Sequence, residues 1–224
     1  EFGPDGWPME YHGAGEDMLA GAIRVVPVVD GEEVPPGAAQ EQVRIVEAKS
    51  GLVVTQGSAR AGSLAIDTRF ETQFDGMTKV TTTFRPEGEV TLDALRIEVP
   101  FRPQCATLLG YWTGMRNFRA ATDTIPMPDG EGMVWNSLNP GRRREKRLHG
   151  TWLPFVMIGD DHRGLSWFAE NDKGWTKHDT LSAIRILRKD GEVVLQLNIL
   201  VEPTTLTEPR EVVFGLHAVP IKEP

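Results

Sequence analysis

One cysteine, Cys105, is present in 224 residues, which excludes an internal disulfide and any multi-cysteine zinc site. A single thiol does not separate a reducing from an oxidising compartment. No apolar run approaches the roughly 20 residues that cross a bilayer as a helix, and the opening EFGPDGWPMEYHG lacks a basic stretch followed by an apolar one. Lys and Arg number 24 against 32 Asp and Glu, for a net charge of -8. That deficit argues against nucleic-acid or anionic-membrane partners, because both need a positive field. Also missing are a phosphate-binding Gly-rich loop, a paired-histidine zinc helix, a Gly-x-Ser-x-Gly elbow and an EF-hand loop. The histidines His12, His149, His162, His178 and His217 are scattered, so no metal site and no cofactor is expected. Cys105 stands beside the largely apolar run 106–109 with no histidine near it in sequence, and reads as a small buried hydrophobe rather than a nucleophile.

What is present is strand punctuation. Glycine and proline fall between short apolar runs, and helix signals are scarce. Leu64, Ile66, Thr68, Phe70, Thr72 and Phe74 share one parity, with Asp67, Arg69, Glu71 and Gln73 on the other, which predicts a strand with one wet face. Asp75-Gly76 then turns the chain into Val80, Thr82 and Phe84 as an antiparallel hairpin. Leu95, Ile97 and Val99 alternate with Arg96 and Glu98, and Pro100 and Pro103 predict an edge or rim there. Two more hairpins are predicted, one across 159–164 and one across Lys189-Asp190-Gly191. With 23–29, 43–48, 52–56 and 211–218, about ten strands result, which suits two packed antiparallel sheets. The whole chain, 1–224, reads as one domain, with an irregular region over 113–150 and a linker-like end over 219–224.

The segment Gly164 to Trp175, GLSWFAENDKGW, concentrates the candidate site. Trp167 and Trp175 offer broad apolar faces with one donor each, and read either as core or as the lining of a sugar groove or domain interface, with Trp152 able to join them. Glu170 and Asp172, two apart, would stand roughly 6.5–7 Å apart on a strand. That matches the carboxyl spacing of inverting glycosidases, but neighbours on one strand point the same way instead of facing across a cleft. Asp172 in Asn171-Asp172-Lys173-Gly174 also fits a turn. Arg143 belongs to the run 142–147, the one dense positive patch, which reads as a solvated loop or as a contact to an oxyanion of a sulfated or carboxylated sugar.

FDGMTKV at 74–80, LDALRIEVPF at 92–101, GLSWFAENDKGW at 164–175 and VVFGLHAVPIK at 212–222 together resemble the β-sandwich region of glycoside hydrolase family 123-type proteins. The resemblance implies an all-β sandwich, galactose-mutarotase-like supersandwich included, that precedes a catalytic (β/α)8 barrel bearing an adjacent Asp-Glu pair. No Asp-Glu dipeptide occurs in this sequence, so no catalytic residue carries over. The expectation is a non-catalytic accessory domain whose partner is carbohydrate or a catalytic barrel. Alternatives are a free-standing carbohydrate-binding module, or a small lyase or epimerase, which a cleft holding a histidine, a tyrosine or acid and an arginine within reach would favour. The resemblance also points to a secreted or periplasmic location.

Overall fold

The computed structural model describes residues 1–3, 6–37, 43–116, 119–140 and 151–220. Two antiparallel sheets carry the fold. The larger has nine strands, in spatial order Arg119–Pro126, Leu108–Arg116, Phe155–Gly159, Gly164–Phe168, Arg210–Val219, Thr78–Pro86, Leu64–Gln73, Leu52–Ala61 and Arg44–Lys49. The smaller has six, in the order Gly132–Asn136, Ile184–Lys189, Glu192–Leu200, Ala94–Phe101, Arg24–Val29 and Glu32–Glu33. Among the described residues helix is limited to a 3-10 turn at Pro103–Cys105, and none is long and apolar enough to cross a membrane.

The predicted hairpins form where alternation meets a turn dipeptide. Leu64–Gln73 pairs with Thr78–Pro86 in unbroken register, and Thr68 and Thr72 meet Thr82 and Thr78 hydroxyl to hydroxyl. Such cross-strand pairs are the unit of sheet stability. Asp190 and Gly191 adopt φ of 54° and 81°, the conformation a two-residue hairpin turn demands. The inner parities of both sheets make one core, in which Leu64, Ile66, Phe84 and Phe214 oppose Val25, Ile97, Leu195 and Ile186. Tyr111 and Trp135 bridge the sheets with ring centroids 5.3 Å apart.

Three expectations change. The stretch 113–150 is not wholly irregular, because it continues Leu108–Arg116 and contains Arg119–Pro126 and Gly132–Asn136. Ala94–Phe101 lies inside the six-stranded sheet, between Glu192–Leu200 and Arg24–Val29, and not at an edge. Pairing with Arg24–Val29 ends at Glu98, and beyond it the Pro100 carbonyl accepts from the Ala20 N–H at 3.0 Å, a bond that needs no donor from the proline. Phe74 falls beyond the end of its strand and is 57% exposed.

Candidate functional site

The three candidate tryptophans lie inside. Within Gly164–Phe168, Leu165 and Trp167 point toward the smaller sheet, and Trp167 has no exposure, Trp152 3% and Trp175 5%. Trp167 sits 6.3 Å from Trp152, 5.6 Å from Trp175 and 6.4 Å from Phe214, centroid to centroid. These rings fill the core and present no face to a glycan or another domain. Asp172 is a turn residue: its carbonyl accepts from the Trp175 N–H at 3.0 Å, and its carboxylate pairs with Lys177 at 2.9 Å. Arg143 and the run 142–147 lie outside the described residues. Cys105 is buried, as expected for a small hydrophobe.

The outward residue of the same strand is Phe168, two positions from Ser166 on the opposite parity to Trp167. It pairs with Gly215 on the neighbouring strand. A Cβ added at Gly215 would penetrate Cε1, Cε2 and Cζ of Phe168 alike, so the ring lies face-down on that glycine and its other face points away from the sheet. Lys79, Glu170, Asn171, Lys173, Glu211 and Val213 frame it in a hollow of about 550 Å³. Asn171 Oδ1 accepts from the Lys173 N–H at 3.0 Å, which fixes the loop that carries Glu170. An aromatic face ringed by carboxylate, amide and ammonium groups suits a ligand with apolar C–H faces and hydroxyl edges. Of the residues predicted from sequence that are among the described residues, Glu170 alone belongs to this hollow. Gly215→Ala should displace the Phe168 ring and cost about 1–3 kcal/mol from overpacking. Ring-proton chemical shifts of Phe168 report the displacement, and unchanged shifts would show that glycine is not what seats the ring.

Further hollows occupy the same face and one end of the sheet. One of about 570 Å³ is lined by Thr83, Arg85, Lys173, Arg210 and Glu211. Another of about 340 Å³ is lined by Arg44, Gln56, Ser58, Asp67, Arg69 and Thr83. Neither contains a histidine. A third, of about 470 Å³, gathers Glu10, Tyr11, His12 and Phe74 but no arginine. Burial pushes the Tyr11 hydroxyl up to about 12, against the lowering effect of its bond to Thr78, so it holds its proton at neutral pH. Among the described residues no three His, Cys, Asp or Glu side chains are grouped to hold a metal ion.

A family model described as glycoside hydrolase 123, third domain, matches residues 8–123, more than half of the chain. The chain belongs to this family. Two of the four resembling segments, 74–80 and 92–101, fall inside the match, whereas 164–175 and 212–222 lie beyond it. A crystal structure of a "Putative aldose 1-epimerase" from Escherichia coli K12 is similar, with a TM-score of 0.51 and 11% identity over 96% of this chain and 93% of that one. The likeness is one of fold, and the glycoside hydrolase 123 third domain described here is thus a galactose-mutarotase-like β-sandwich. No curated protein matches the sequence significantly.

Proposed function

We propose that this glycoside hydrolase 123 third domain is a non-catalytic accessory β-sandwich, which supports a catalytic barrel and contributes carbohydrate binding through the hollow over Phe168. The observation that carries the reading is the Phe168 ring, seated on Gly215 and framed by Glu170, Asn171, Lys173 and Glu211. A non-catalytic role is supported by the missing Asp-Glu dipeptide and by the absence from each of the four hollows of a histidine, an acid or tyrosine and an arginine together. The family's description as a third domain implies other domains beside it in that family.

The 224-residue chain should bind neutral glycans on an array and turn over no chromogenic glycoside, N-acetylgalactosaminides included. Phe168→Ala should weaken glycan binding by roughly five- to tenfold while circular dichroism stays unchanged, the loss expected for an aromatic stacking contact of about 1–1.5 kcal/mol. Turnover abolished by Glu170→Gln would overturn the non-catalytic reading. Sequencing the gene on both sides of the chain tests the partner, since a barrel with an Asp-Glu pair is expected there. Its absence would leave a free-standing binding module.

A further inference from the structure

The three hollows on the outer face of the nine-stranded sheet are not separate. The hollow over Phe168 shares Lys173 and Glu211 with the one of about 570 Å³ at Arg85, and that one shares Thr83 with the one of about 340 Å³ at Asp67. Their common wall is the strand Thr78–Pro86, whose Lys79, Thr81, Thr83 and Arg85 all stand on the outer parity, opposite the buried Val80, Thr82 and Phe84. From Phe168 to Arg44 the series crosses six adjacent strands, Gly164–Phe168 to Arg44–Lys49. Five inter-strand steps span roughly 24 Å. That is several times the width of one sugar ring, and it runs across the strands.

The charges along this line are largely spent on each other. Arg85 Nε donates to Asp67 at 2.9 Å, Arg69 Nε donates to Glu71 at 3.3 Å, and Lys79 pairs with Glu71 at 3.8 Å. Asp67 also accepts from the Ser58 hydroxyl at 3.0 Å, so its carboxylate is held in place with lone pairs to spare. Cations neutralised in this way supply no field for an anion, whereas fixed alternating donors and acceptors are matched by hydroxyls at little ordering cost. We infer that the three hollows are consecutive subsites of one track for an extended, uncharged oligosaccharide, anchored at Phe168 and read at its far end by Asp67. This inference rests on the carbohydrate reading proposed above.

The test uses the whole chain. A glycan array of neutral and sulfated oligosaccharides identifies the neutral series that binds, and calorimetry then follows that series from monosaccharide to hexasaccharide. Affinity should rise with length past the disaccharide and vary little with salt. Asp67→Asn should weaken the hexasaccharide about three- to tenfold, the worth of one to two hydrogen bonds, and leave the disaccharide unchanged. Phe168→Ala should weaken both, and thermal melts establish that each variant is folded. Affinity that stops rising at the disaccharide, or an Asp67→Asn variant indistinguishable from the parent at every length, overturns the track and leaves the Phe168 site standing. Binding confined to sulfated glycans and lost in salt overturns the uncharged occupant. Failure to bind any glycan overturns the inference together with the carbohydrate reading.

Discussion

Replacing Trp167 with alanine should cost about 3–5 kcal/mol of stability, the range for deleting a fully buried large aromatic. The indole has no exposure, and Trp152, Trp175 and Phe214 surround it from three separate segments of the chain. Phe214 is fixed in a central strand, so the walls cannot close over the void without breaking sheet register. A domain stable by 5–15 kcal/mol would lose a large part of its margin. Denaturant titration measures this as a lower midpoint with an unchanged slope. Trp167→Phe should cost less than alanine, since the buried Nε1–H has no partner among the described residues and removing it relieves a desolvation cost. A Trp167→Ala protein as stable as the parent but unable to bind glycan would return the indole to a surface role.

The same strand shows where sequence reasoning works and where it stops. The hairpins over 64–86, 155–168 and 184–200 were legible because alternation and turn dipeptides are local signals. Which parity faces the core is not local, since the answer depends on what packs against each face. Trp167 attracts attention as the largest aromatic of GLSWFAENDKGW, and for that reason the core takes it. Phe168, its neighbour, was the aromatic left for the surface. Its counterpart Gly215 was the one available signal, a glycine in the apolar run Val212 to Leu216, and such a glycine marks close approach by another group. The remaining groove residues, Lys79 and Glu211, come from strands far apart in sequence and adjacent only through sheet order. No spacing rule could have joined them.

Glu98 stands on the polar parity of Ala94–Phe101, between Ile97 and Val99. Its side chain does point away from the core, yet only 3% of the residue is exposed, because neighbouring side chains close over it. Arg24 approaches at 2.5 Å and Arg96 Nε at 2.7 Å, and the Gln196 amide donates at 2.8 Å. Arg96 itself is mostly buried and also pairs with Glu33. Burial pushes the Glu98 carboxyl upward, but the Arg96 hydrogen bond, the charges of Arg24 and Arg96, and the Gln196 bond outweigh it and hold the group below the ordinary glutamate value. Arg185 stands near enough to Arg96 that burial and this like charge together hold its own pKa down.

Glu98→Ala should therefore destabilise by about 1.5–3 kcal/mol, because it removes the buried carboxylate that accepts from Arg96 and leaves that mostly buried guanidinium beside Arg185 with Glu33 as its remaining partner. Glu98→Leu should recover little of that loss, since the mostly buried Arg96 would keep only the half-exposed Glu33 carboxylate as its partner. A combined Glu98→Leu, Arg96→Met change should recover more, because it removes the carboxylate and its most buried partner together. Since the folded pKa is depressed, the native state binds fewer protons than the unfolded chain in acid. The contribution of Glu98 is thus complete above its unfolded value of about 4.3 and is lost as pH falls through the lower folded value. Denaturation midpoints of parent and Glu98→Ala measured from pH 7 down to pH 3 should converge toward the acid end. Parallel curves across that range would mean that the ion cluster contributes nothing to stability through this carboxylate.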